Sequence, residues 1–137
     1  MSELFADFIP SLLEFLAYFG TASVLTVVFI AIYSTATQHN EIKLIRENSP
    51  AAAAAISGSL IGFALPLTSV MLNSLSVVEL VLWGIVAMIV QLAVYYVVRL
   101  SMPRISQRIE SGEVAAGIWL GAASLAGGIL NAASMTA

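Results

Sequence analysis

The sequence predicts an all-α polytopic membrane protein: four transmembrane helices arranged as two parallel two-helix repeats, with interfacial helices on the cytoplasmic side. Three observations carry this. Of the 137 residues, 60% are hydrophobic and only 9% charged. An ordinary soluble domain has roughly a quarter charged residues, so this chain has too little polar surface to cover a globule in water. Four stretches are long and free of charge, and all 5 lysines and arginines fall in two of the connections between them.

The uncharged stretches run from Phe15 to Asn40, Ala51 to Val78, Leu80 to Val98 and Val114 to Ala137. A helix of about 20 apolar residues crosses a hydrocarbon core of roughly 30 Å, so each stretch crosses once. Open strands would leave edge amides unpaired in lipid, and the ten-residue alternation of a barrel strand is missing. The segment from Met1 to Leu13 is expected to form a short separate helix on the membrane surface. Leu4, Phe5, Phe8, Ile9 and Leu12 recur at helical spacing, and Pro10 breaks or kinks the run; a frayed terminus is the alternative. Glu3 and Asp7 stand where a secretory signal has basic residues.

Lys43 and Arg46 follow the first span, and Arg99, Arg104 and Arg108 follow the third, so all five share one side of the membrane. The positive-inside rule makes that side cytoplasmic and sends both termini outward, to the periplasm or cell exterior. The outer side holds the carboxylates Glu3, Asp7, Glu14 and Glu79. Each inner loop reads as a short amphipathic helix. In the first, Ile42, Leu44 and Ile45 turn to lipid while Glu41, Lys43, Arg46 and Glu47 stay wet; in the second, Ile105 and Ile109 lie opposite Arg104 and Arg108. Pro103 suits a helix start. Ser49 before Pro50 caps the second span, and Ser111 is expected to cap the fourth in the same way.

A formal charge of -3 has the wrong sign for a phosphate-backbone footprint, so no nucleic-acid partner is expected. With 0 cysteines, disulfides and thiolate metal sites are excluded. Laying the second half under the first sets Gly20 on Gly84 and, after a one-residue gap in the inner loop, Glu47 on Glu110 and Gly58 on Gly121. The copies occupy residues 12–72 and 76–136 of a single membrane domain and share one orientation.

Helices approach closely in lipid where residues are small. Gly58 and Gly62 in the second span, and Gly117 and Gly121 in the fourth, have GxxxG spacing. They mark helix packing, either inside one chain or between subunits. Pro66 removes an amide in the outer half of the second span, and Gly127 and Gly128 weaken the fourth at similar depth. Such interruptions line binding sites in transporters, or are tolerated kinks. Gln91 is the largest uncharged polar group at depth, either a contact between helices or part of a pathway. Glu14 and Glu79 are solvated end charges or, in an oligomer, a cation-attracting ring.

No charge lies mid-span, which argues against a proton relay or voltage sensor. His39, Asn40 and Glu41 form the one cluster of His and carboxylate, read as the start of an interfacial helix. A metal site needs three or four ligands and a nucleophilic enzyme needs Ser or Cys beside its base, and neither set is assembled along the sequence. The usual nucleotide, zinc-protease and hydrolase motifs are missing too. A non-enzyme without metal or cofactor is therefore expected.

Four segments together carry a resemblance: Thr37 to Glu41, Ser57 to Leu67, Pro103 to Ile109, and Ala115 to Thr136. The chain resembles the bacterial YjfL-like inner-membrane proteins, the family called domain of unknown function 350, over essentially its whole length. The resemblance implies a bacterial inner-membrane protein of four spans in two repeats, without catalytic residues. It also implies an association with phage-shock-type membrane-remodelling proteins and ATP-grasp enzymes, hence envelope maintenance.

Two functions are expected on this basis. One is a homo-oligomeric scaffold or envelope-stress component, with Lys43, Arg46, Arg104 and Arg108 touching anionic lipid or a cytoplasmic membrane-remodelling partner. The other is a channel or transporter for a small solute or ion, built from several copies and lined by Gly62, Pro66, Gly127, Gly128 and Gln91.

Overall fold

The structure, a computed structural model, describes residues 2–73 and 76–135. The expected boundaries at Met1, residue 136 and Ala137, and residues 74–75 of the second apolar stretch, lie outside the described residues. The described residues form six helices in order: α1 (Ser2–Ala36), α2 (Glu41–Arg46), α3 (Pro50–Asn73), α4 (Val77–Ser101), α5 (Ile105–Glu110) and α6 (Val114–Met135). The described residues contain no strand. α1, α3, α4 and α6 are each long and apolar enough to cross a membrane. Their amides pair within the segment, as lipid requires.

The expected break at Pro10 does not occur. Pro10 lies inside α1, which runs unbroken from Ser2. A proline removes only one intrahelical hydrogen bond, and α1 carries on through it with the remaining amides paired. At ~52 Å, α1 is much longer than the hydrocarbon core of roughly 30 Å. Every residue from Ser2 to Ala17 is exposed; packing begins with the partly buried Tyr18 and Ala22, and full burial with Leu25, Phe29 and Tyr33.

α3 and α6 form the centre. Gly58 faces the backbone of Gly121, Gly62 that of Ser124, and Gly117 that of Ala51, so close that a methyl group at any of them would overlap main-chain atoms. The paired positions advance together along both helices, which therefore run parallel. α1 and α4 flank this pair. Leu25 meets Gly84, and the Phe29 ring stacks on Phe63 with centroids 4.4 Å apart.

The caps at the end bearing α2 and α5 follow from local chemistry. Asn40 accepts from the Lys43 amide at 3.1 Å and Ser49 from the Ala52 amide at 3.3 Å, each satisfying a donor that a helix start leaves free. Ser111 does not cap α6. It closes α5, and its Oγ donates to the Arg108 carbonyl at 2.9 Å. α5 likewise starts at Ile105, two residues after Pro103, with no side-chain cap. Ile105 and Ile109 are buried against protein, while Ile42 and Ile45 remain exposed.

Candidate functional site

The helix-packing glycines and the pathway candidates occupy one zone of the bundle. α3 and α6 remain continuous helices through Pro66 and through Gly127 and Gly128. Pro66 has no amide to give to the carbonyl of Gly62, four residues back. Gly128 is seated there: a side chain on it would collide with that carbonyl oxygen, so a Cα hydrogen occupies the direction instead. Weak Cα–H···O contacts of this kind recur where helices pack closely. Gly127 lies against Val94.

Gln91 is 1% exposed and its Nε2 donates to the Ser124 carbonyl at 3.0 Å, tying α4 to α6 beside Gly62. Its Oε1 has no hydrogen-bond partner. Ser59 Oγ is 3.1 Å from Ser124 Oγ and donates to the Tyr33 hydroxyl at 2.9 Å. This buried polar group therefore joins all four long helices at mid-depth.

A second polar cluster, whose burial and whose partner Ser106 the sequence did not signal, sits at the end bearing α2 and α5. Glu41, expected in water, is 1% exposed and His39 2%. Burial of both is tolerable because they meet each other and further partners. Nε2 of His39 is 3.3 Å from Oε1 of Glu41, within ion-pair distance but outside hydrogen-bond geometry. Thr37 Oγ1 donates to the same oxygen at 2.5 Å, while Glu41 Oε2 has no hydrogen-bond partner. On the other edge of the ring, Nδ1 is 3.1 Å from Ser106 Oγ and 3.1 Å from the Thr37 carbonyl. That carbonyl also accepts from the Tyr95 hydroxyl at 2.9 Å and from Ser106, and the two hydroxyls are 2.7 Å apart.

The main chain at Gln38, between Thr37 and His39, has φ 65. A non-glycine residue rarely adopts this conformation, and here the contacts on either side hold it. Serine, imidazole and carboxylate thus lie in line, with Ser106 brought from a helix 67 residues away in sequence. The contacts of Nδ1 with Ser106, and of the Ser106 and Tyr95 hydroxyls with the Thr37 carbonyl, fasten the α1–α2 turn to α4 and α5.

Ser106 and Tyr95 also floor a cleft of about 240 Å³, whose sides include Gln38, Arg99, Arg104 and Gln107. Arg108 is engaged elsewhere, with Nε 3.2 Å from both carboxylate oxygens of Glu113. Among the described residues, Arg99 and Arg104 form no ion pair with a carboxylate. Lys43 and Arg46 are exposed on α2. At the opposite end, Glu79 is exposed near the start of α4, and Glu14 lies on the unpacked part of α1. The register of Leu25 on Gly84 puts Glu79 level with Gly20 and Glu14 further out, so the fold does not bring these two acids together within one chain.

Residues 6–135 match the family model described as Domain of Unknown Function (DUF350). The chain belongs to this family. It is 45% identical over 128 residues to the inner membrane protein YjfL of Escherichia coli (strain K12), covering 93% of this chain and 97% of the relative. It is 26% identical over 108 residues to the transmembrane protein YshE of Bacillus subtilis (strain 168), covering 77% and 81%. No solved structure matches it. Family membership and the four apolar helices make the chain a small multi-pass inner-membrane protein. The segments from Thr37 to Glu41 and from Pro103 to Ile109 meet in the buried His39–Ser106 cluster.

Proposed function

We propose that the protein is a membrane scaffold or envelope-maintenance component, acting as a homo-oligomer and holding its basic inner face against anionic lipid or a cytoplasmic membrane-remodelling partner. The observation that carries this reading is the use of the pathway candidates in packing. Gly62 and Gly128 bring α3 and α6 together, the carbonyl left free by Pro66 sits against Gly128, and the Gln91 amide is bonded to Ser124. A closed interior suits a protein that presents surfaces, not one that passes solutes.

In this reading the end bearing α2 and α5 is cytoplasmic, because Lys43, Arg46, Arg99, Arg104 and Arg108 all lie there, and both termini are outside. The apolar, unpacked first half of α1 supplies the surface for self-association. One observation favours a multi-copy channel instead: the unpartnered Oε1 of Gln91. Solute flux across liposomes containing the native chain and Gln91→Leu separates the two. Scaffolding predicts equal, background permeability for both. Flux above background in the native protein that Gln91→Leu removes would replace scaffolding with conduction.

A further inference from the structure

The inner cleft has features that a diffuse basic surface does not require. Its floor consists of two buried hydroxyls, Tyr95 at 0% and Ser106 at 8% exposure, and its sides carry two guanidiniums with no carboxylate among the residues lining it. Guanidinium is the side-chain group best matched to phosphate oxygens, offering paired donors in a fixed plane. At about 240 Å³ the cleft falls below the 300 Å³ or so typical of soluble small-molecule sites, which leaves room for a compact anionic group.

Directly beside it, and sharing Arg99 and Pro103, runs a largely apolar groove that also includes Tyr96 and Leu100. Leu100 is 82% exposed, on the last turn of a helix that crosses the membrane. A cationic cleft continuous with an apolar groove at the level where a span ends fits an amphiphile, with its phosphate among the arginines and its chain along Tyr96 and Leu100. A free phosphate ion would leave the groove empty.

We propose that this cleft is a specific site for the phosphate of an anionic phospholipid, held by Arg99 and Arg104 over the Tyr95 and Ser106 floor. The site deepens the scaffold reading, on which it rests for its contact with the inner leaflet. Arg104 and Arg99 are the specific contacts, and Lys43 and Arg46 contribute only general attraction.

The test uses the full chain in nanodiscs of phosphatidylcholine with a minority of phosphatidylglycerol, and measures enrichment of the anionic lipid around the protein by native mass spectrometry. A charge-assisted guanidinium–phosphate hydrogen bond contributes about 1.5 kcal/mol or more, so Arg99→Gln with Arg104→Gln is expected to lower the preference by about two orders of magnitude. Arg104→Gln alone, at an exposed position, is expected to lower it about tenfold by the same conversion. Lys43→Gln with Arg46→Gln removes only general, salt-screened attraction and is expected to lower it at least several-fold less than the arginine pair does.

Undiminished preference in the arginine variants, or an equal loss in the α2 variants, overturns the site. Displacement of the lipid by millimolar inorganic phosphate at equal occupancy also overturns it, in favour of a soluble anion. Solute flux in the liposome experiment would sink scaffolding without altering lipid preference, and loss of lipid preference would leave the flux result standing, so the two failures are distinct.

Discussion

Replacing Gly58 with alanine adds one methyl group at the tightest point of the molecule. Its Cβ would fall on the carbonyl oxygen, the carbonyl carbon and the Cα of Gly121, none of which can rotate away as a side chain does. The helices themselves must separate. A shift of ~1 Å forfeits up to about half of the attraction at each opposed atom pair, and the rows at Gly62, Gly117 and Gly128 loosen with it because both helices are rigid. Overpacking of this kind costs about 1–3 kcal/mol, and the backbone contact puts Gly58→Ala at the upper end, about 3 kcal/mol or some two orders of magnitude in the unfolding constant. Gly20→Ala is the matched control, since nothing lies within 4 Å of the added group. Unfolding of the two variants and native protein by sodium dodecyl sulfate in mixed micelles gives the difference. Native-like stability of Gly58→Ala, or an equal loss in Gly20→Ala, would refute the assignment of α3 and α6 as a close intrachain pair.

Two further predictions concern the buried pair and the topology. Glu41→Gln or His39→Gln alone removes one member of a buried pair and is expected to destabilise the protein by about 3 kcal/mol, whereas the double variant recovers at least half of that, measured as a double-mutant cycle; additive losses would show that the pair is not coupled. Because the chain has 0 native cysteines, single cysteines at Asn73 and Gln107 report topology cleanly. Asn73→Cys is expected to react with an impermeant maleimide added to intact cells and Gln107→Cys only after lysis, and the reverse pattern would invert the proposed orientation.

The spans were legible because crossing a membrane depends on a sum along the chain. Charge-free length sets the transfer free energy, and the gathering of cations into two connections follows from the cost of placing them in hydrocarbon. The glycines at GxxxG spacing and the Ser49 cap were legible for a related reason: their partners lie within a few residues or on one helical face. Pro10 misled because a proline takes away one hydrogen bond and need not end a helix.

Glu41 and His39 misled in the opposite way. On a six-residue amphipathic helix, solvation is the default for a carboxylate, and local pattern contains no trace of the Thr37 hydroxyl turning back or of Ser106 arriving from α5. The His39–Asn40–Glu41 run together with Tyr33 and Tyr95 near the α2/α5 ends of their spans was the one available hint.

Composition and charge placement alone were enough to commit this chain to the bilayer, to count its crossings and to collect its cations at one end, since each of these is an energy that adds residue by residue. Which residues meet across the bundle is another kind of quantity. The seating of Gly128 on the carbonyl below Pro66, the spending of the Gln91 amide on Ser124, and the buried line from Glu41 through His39 to Ser106 under Arg99 and Arg104 all depend on helix register. Register is set by side-chain packing among all four spans at once, because lipid offers no hydrophobic gain for bringing helices together and leaves shape and hydrogen bonds to choose the fit.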